Sequence, residues 1–204
     1  MPLWKSPYPL VLASKSAIRL ALLNAAGIEA TAEPADIDER ALEAQSGVKD
    51  ASEVARLLAR EKARAVAANK RDVVFVLGAD QTLALGERRF SKAPDRKAAR
   101  KQLLELRGKT HTLHSGIAVV QGGGKILFEH SDIARLTMRD FSEPFLDRYM
   151  RAAGDAVLAS VGCYQLEGPG IQLFEKIEGD HFTILGLPLF PLLHWLRERG
   201  FLAK

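Results

Sequence analysis

Cysteine is almost absent. Cys163 stands alone in 204 residues, which excludes an internal disulfide framework and any paired-cysteine metal motif. The five histidines, His111, His114, His130, His181 and His194, lack the spacing of metal ligands, so no structural zinc is expected. Long apolar runs are missing as well. None reaches the roughly 20 residues that cross a bilayer, and Met1-Pro2-Leu3-Trp4-Lys5 has no apolar signal-like core. A soluble, cytoplasmic protein without membrane contact is the expectation. Aromatic residues are only 7% of the chain and are not interleaved with basic ones, which leaves a single-strand stacking platform without support. The formal charge is +4, with Lys and Arg dispersed rather than gathered into an arm. This balance favours anionic ligands and argues against nucleic acid as the partner.

No internal repeat, low-complexity linker or composition shift divides the chain, and residues 1–204 are read as one domain. Pro9–Ala13 reads as a buried strand and Ser16–Ala26 as a helix, because Ile18, Leu22 and Ala26 recur every four residues and Gly27 supplies a stop. Ile28 to Glu33 offers a second strand. Ser52 is read as the cap of a long helix ending near Asn69. A strand over Val73–Leu77 precedes a Thr82–Phe90 hairpin turning at Gly86-Glu87, and an Asp95-capped helix ends near Gly108. Thr112–Gln121 and Lys125–Arg139 alternate around Gly122-Gly123-Gly124 as a long hairpin. Ser142 opens a further helix, and the last runs over Pro188–Arg199. Strands alternate with helices, yet the hairpins exclude a purely parallel sheet. The expected class is mixed α/β.

Asp80 is the first candidate for chemistry. It follows the apolar run Val73-Val74-Phe75-Val76-Leu77 and Gly78-Ala79, at the kind of strand end where open α/β sheets place ligands; starting a turn is the plainer role. Ser14-Lys15-Ser16 enters a helix whose free N–H groups attract phosphate. Arg19, three residues after Ser16, leans back toward the same anion, or else is an exposed helix residue beside an ordinary cap. The glycines and Gly-Lys-Ser/Thr of a Walker loop are missing. Lys62 interrupts the apolar stripe Val54, Leu58, Val66, so its ammonium meets an anionic partner or snorkels past the helix edge. Lys92, in Phe90-Ser91-Lys92-Ala93-Pro94, is a surface lysine or a phosphate contact on a loop returning toward Asp80. Asp36, Asp38 and Glu39 form a solvated turn or, with Asp80, supply oxygen ligands to a hard divalent cation. Together these parts describe a phosphoryl or nucleotidyl transfer site.

The same residues carry a resemblance to the Maf family, also called septum formation inhibitor proteins, over Leu10 to about Leu196. Leu12-Ala13-Ser14-Lys15-Ser16-Ala17-Ile18-Arg19 resembles the family's Leu-Ala-Ser-x-Ser-x-x-Arg opening. Asp36-Ile37-Asp38-Glu39 is similar to its acidic segment, Gly78-Ala79-Asp80 to its aspartate motif and Lys92-Ala93-Pro94 to its Gly-Lys-Pro loop. Ile177-Glu178-Gly179-Asp180 and Leu185-Gly186-Leu187-Pro188 complete the pattern. The resemblance implies a partly antiparallel twisted sheet flanked by helices, with two lobes around a nucleotide cleft, as in Maf/ITPase-like proteins. It implies nucleoside triphosphate pyrophosphatase chemistry, splitting the bond between α and β phosphates. Asp80 would be general base or metal-linked carboxylate, Glu39 a metal or water partner, and Arg19, Lys62 and Lys92 would neutralise the triphosphate with Ser14 and Ser16 in support. A divalent cation, Mg²⁺ or alternatively Mn²⁺ or Co²⁺, and a homodimer are implied as well.

Two positions point to a subgroup. Gln81 stands where many members have Thr, and Glu167 where many have Gln, a pairing that resembles members active on 7-methyl-GTP. A carboxylate accepts from guanine N1–H and the 2-amino group, or favours a cationic base; it serves a metal equally well. Ser91 in place of Gly, and Ser160 in place of Lys, depart from the pattern. The alternative function is a nucleotide-binding regulator of septum formation or cell division with little turnover.

Overall fold

A computed structural model describes residues 2–204. In chain order the elements are β1 (Leu10–Leu12), α1 (Ala17–Ala25), β2 (Ala30–Ala32), α2 (Glu39–Ser46), α3 (Ala51–Ala67), β3 (Phe75–Leu85), β4 (Arg88–Phe90), α4 (Arg96–Leu106), β5 (Thr110–Gln121), β6 (Ile126–Met138), α5 (Glu143–Ala153), β7 (Phe174–Glu178), α6 (His181–Ile184) and α7 (Leu189–Glu198), with three short 3-10 turns between Gly154 and Leu173. The strands order as β2-β1-β3-β5-β6-β7, with β4 paired to β3. β1 runs parallel to β2 and β3, whereas β3–β4 and β6–β7 are antiparallel. The mixed α/β class is therefore the observed one. The chain divides into two compact units. Among the described residues, one comprises 2–81, 115–132 and 180–204, the other 82–114 and 133–179.

Within the first unit the core follows strand alternation. Leu10, Leu12, Leu77, Ala79, Ile117 and Val119 join Leu189, Leu192, Trp195 and Leu196 of α7. The intervening residues Val11, Ala13, Val76 and Val120 meet Ala63, Val66 and Ala67 of α3 on the other side. Period-2 alternation demands this split. α3 lies close on the strands because Gly78 and Gly116 leave room for its backbone. A Cβ at Gly78 would stand 1.8 Å from the Ala59 carbonyl oxygen, and one at Gly116 2.5 Å from the Ala55 carbonyl carbon. The second unit packs Leu83, Phe90, Leu103, Leu113, Leu136, Leu146 and Tyr164 out of solvent.

Several local expectations change. The Val73–Leu77 strand does not stop at Gly78. β3 is continuous through Asp80, so Asp80 starts no turn; what ends there is its parallel neighbour β1, whose last pairing is Leu12 with Leu77. Asp50, not Ser52, caps α3 by accepting from Glu53 N–H at 2.9 Å. Asp95 and Ser142 cap α4 and α5 as read from the sequence. Helix α2 inside the acidic region, strand β7 and the single turn α6 were not anticipated.

Candidate active site

Beyond Leu12 the chain turns sharply. Ala13 N–H still donates to Leu77 O at 2.8 Å, and Ser16 then caps α1 by accepting from Arg19 N–H at 3.3 Å. Ser14 Oγ accepts from Ser16 N–H at 3.2 Å and from Arg19 Nη1 at 3.3 Å. The Arg19 side chain thus returns over the loop that precedes its helix, as the backward lean of helical side chains requires. Its Nη1 also donates to Ala79 O at 2.8 Å. Both Nη1 protons are thereby engaged, and Nε is buried without a hydrogen-bond partner.

Lys62 sits on the α3 face that Gly78 draws onto the sheet, one residue before Ala63. Its ammonium reaches Asp80 Oδ1 at 2.5 Å and Glu39 Oε1 at 2.8 Å. Glu39 is the first residue of α2, held there by the Asp38 cap, whose carboxylate accepts from Ala41 N–H at 3.0 Å. Asp80 and Lys62 are largely buried, whereas Glu39 is half exposed. Burial pushes the Asp80 carboxyl above the usual carboxylate range; Lys62 and then Arg19 pull it back, and Glu39 adds a smaller upward push. Burial likewise lowers the Arg19 guanidinium, opposed by Asp80 and Glu39. A buried carboxylate with raised basicity, flanked by two cations and a second carboxylate, can accept a proton beside a bound polyanion.

Alternation sends the next residue the opposite way. Gln81 Nε2 donates to Ser115 Oγ at 2.9 Å, Ile184 O at 3.0 Å and Thr183 O at 3.2 Å. Ser115 Oγ donates to the same Thr183 carbonyl at 2.7 Å. Asp180 Oδ2 accepts from Thr183 N–H and Oγ1, at 2.8 and 3.1 Å. Ser115 and Thr183 escaped the sequence reading, which held Asp180 only as the end of the Ile177–Asp180 motif; the Asp-x-x-Thr cap spacing was the signal for Thr183.

The structure thus brings Ser14, Ser16, Arg19, Glu39, Lys62 and Asp80 together in the first unit, with Gln81 adjoining. Asp36 is exposed outside this cluster. Lys92 and Glu167 belong to the second unit and are exposed there. Lys92 lies on the β4–α4 loop, where Ser91 O accepts from Gln102 Nε2 at 2.9 Å. Glu167 lies on a turn closed by Gly168 N–H to Gln165 O at 3.3 Å. Tyr164, which leads into that turn, is anchored by His111 Nε2 at 2.7 Å from its hydroxyl, and Ser160 Oγ donates to its carbonyl at 2.5 Å.

Asp80 and Glu39 are the carboxylates that could share a cation. Among the described residues no group of three or more His, Cys, Asp or Glu forms a ready metal site. The pair nevertheless fits the way Mg²⁺ is held, by one or two carboxylates with substrate phosphates and water completing the shell.

Residues 9–199 match the family model described as "Maf: Maf-like protein". A nucleoside triphosphate pyrophosphatase of Bradyrhizobium diazoefficiens is 55% identical over 203 residues, spanning the whole of both chains. One of Rhodopseudomonas palustris is 54% identical over the same span. A 7-methyl-GTP pyrophosphatase of Brucella abortus is 53% identical over 192 residues, covering 93% of this chain and 95% of that protein.

Proposed function

We propose, on the premise that this chain belongs to the Maf family, that it is a nucleoside triphosphate pyrophosphatase whose residues 1–204 act as one domain. It hydrolyses the α–β bond to release a monophosphate and pyrophosphate. The observation that carries the reading is the Lys62 ammonium shared between Asp80 and Glu39, beside the Arg19 side chain turned back onto the start of α1. A purely binding site gains nothing from a buried carboxylate kept basic, whereas water activation requires one.

In the proposed reaction a water oxygen bonds to the α phosphorus, its proton passes to Asp80, and the bridging oxygen leaves with pyrophosphate. Arg19 and Lys62 spread the developing charge, and Ser14 and Ser16 hold the loop against the phosphates. Glu39 and Asp80 would hold a divalent cation arriving with the nucleotide; when bound, it screens phosphate charge and makes water easier to ionise. The assignment of Lys92 to phosphate and of Glu167 to the base rests on their motifs. Glu167 preceding Gly168, with Gln81 following Asp80, supports 7-methyl-GTP as the preferred substrate. Cytoplasmic action and a homodimeric state are part of the same proposal. Among the described residues no helix is long and apolar enough to cross a membrane.

The test is pyrophosphate release with Mg²⁺ from 7-methyl-GTP, UTP, CTP, dTTP and GTP, alongside Asp80→Asn. Turnover lost in the variant, with the fold retained, is the expected result. Near-wild-type hydrolysis by Asp80→Asn refutes the base assignment. Silence of the wild type across the panel, with nucleotide still bound, replaces the enzyme with a nucleotide-binding regulator.

A further inference from the structure

We infer that Gly186 is a positioning residue that seats the Arg19 guanidinium, and that Gln81 acts with it by holding the turn on which Gly186 sits. The inference deepens the proposed function and rests on Arg19 being a phosphate clamp.

Gly186 follows α6 in the left-handed region, at φ +86°. A Cβ placed there would stand 2.8 Å from Arg19 Nη2, 3.1 Å from Nε and 3.4 Å from Cζ. The bare Gly186 backbone therefore borders the Nε/Nη2 edge of the guanidinium, while Nη1 is fixed by Ala79 O and Ser14 Oγ. That edge carries the buried Nε lacking any partner, so close packing against bare backbone, not a hydrogen bond, seats this edge and sets the plane in which the guanidinium meets phosphate. The atoms a Cβ would meet are the far end of a flexible side chain. A side chain at 186 would therefore displace Arg19 rather than the backbone.

The Gly186 turn is unusually well tied. Gly186 N–H donates to Thr183 O at 3.0 Å and Leu187 N–H to Phe182 O at 2.9 Å. Thr183 is wholly buried, and its carbonyl also receives Ser115 Oγ and Gln81 Nε2. The Gln81 amide nitrogen spends its donors on Ser115 and the two α6 carbonyls, so it is committed to this turn. Asp80 and Gln81 thus divide the work from one strand. Asp80 faces Lys62 on one side of the sheet, and Gln81 pins the turn bordering Arg19 on the other.

Left-handed backbone alone could also demand glycine at 186, and Gly200 separates the two reasons. Gly200 has φ +77°, and a Cβ placed there would meet nothing within 4 Å, so Gly200→Ala meets the left-handed penalty without touching Arg19. The experiment is a cycle of wild type, Gly186→Ala, Arg19→Ala and the double variant, read as kcat/KM for pyrophosphate release from the best substrate of the panel. Melting temperatures are compared with Gly200→Ala. Where turnover falls below detection, the same cycle is read on the Kd of inorganic pyrophosphate by calorimetry. Gly186→Ala is expected to lose about 10- to 100-fold, the scale of an ångström misplacement, while melting within a few degrees of Gly200→Ala. In the Arg19→Ala background the further loss should vanish. Full activity of Gly186→Ala, or an equal loss in both backgrounds, overturns the inference. Full activity of Arg19→Ala removes the clamp reading itself, which the single variant reports independently. Gln81→Met should repeat the pattern more weakly. A loss by Gln81→Met that persists undiminished without Arg19 overturns its positioning role.

Discussion

Replacing Lys62 by Met should strand Asp80 as a buried carboxylate without its nearest counter-charge. The side chains of Lys62 and Asp80 are only 14% and 12% exposed, so water does little to compensate. Removing one partner of a buried ion pair typically costs about 3–5 kcal/mol. Protonation sets a ceiling: moving an aspartic acid from an unfolded pKa near 3.9 to the neutral form at pH 7 spans about three pH units, or about 4 kcal/mol. The sign follows from linkage. Burial already lifts the folded-state Asp80, and losing Lys62 lifts it further, so the folded state keeps its proton to a higher pH than the unfolded chain does. The destabilisation is therefore greatest toward neutral pH and shrinks, by at most about 1.4 kcal/mol per unit, as pH falls toward the unfolded value. Urea unfolding at several pH values from 7 to 4.5, followed by tryptophan fluorescence, measures it; Trp4 and Trp195 lie in the same unit as Asp80. Adding Asp80→Asn to Lys62→Met should recover most of the loss, because no charge is then stranded. Turnover at pH 7 should fall sharply in the single variant, because a further upward shift favours the protonated Asp80, which cannot accept a proton. A Lys62→Met protein as stable as wild type at pH 7, or one whose loss is independent of pH, refutes this account of the site.

His111 offers a separate pH test in the second unit. Burial lowers its pKa from 6.5 to about 4, so its contribution is complete above 6.5 and lost as pH falls, because the unfolded state takes up the proton first; wild type should lose about 2 kcal/mol more than His111→Gln between pH 7 and pH 5, and about 3 kcal/mol in all, by urea unfolding. Glu167→Gln should change the ranking of nucleotides by about an order of magnitude while leaving the melting temperature within a few degrees, since the side chain is exposed; an unchanged ranking removes Glu167 from base recognition. Gly78→Ala should destabilise by about 3 kcal/mol or more, because its Cβ would overlap the Ala59 carbonyl, and circular dichroism melting would show it.

What could be read from the sequence was what neighbours along the chain decide. The caps at Asp95 and Ser142, the Gly86 hairpin and the return of Arg19 over Ser14 all depend on spacings of a few residues. Gly78 misled because a glycine within an apolar run reads as punctuation, whereas here it admits the backbone of α3, a partner some 20 residues earlier. Ser52 misled because Asp50 competes for the same cap two residues upstream. The partners of Gln81 were illegible for a different reason. Ser115, Thr183 and Ile184 lie 34 to 103 residues away, and no local pattern encodes a contact of that range.

Asp80 shows why a strand-end rule can succeed when the strand does not end. The rule holds because parallel neighbours stop pairing and expose the space beyond them. β1 supplies that stop at Leu12, β3 continues past Leu77 without it, and the serine loop and α1 fill the opening on that edge with hydroxyls and a guanidinium. A carboxylate on a continuing strand is held more firmly than one on a loop, since β3 stays a strand through Asp80 and pairs with β4 from Leu83 onward. That rigidity suits a base required to face one proton in one direction. The same continuity forces Gln81 to the other face of the strand, which makes the base and the turn beside Arg19 two consequences of a single backbone position.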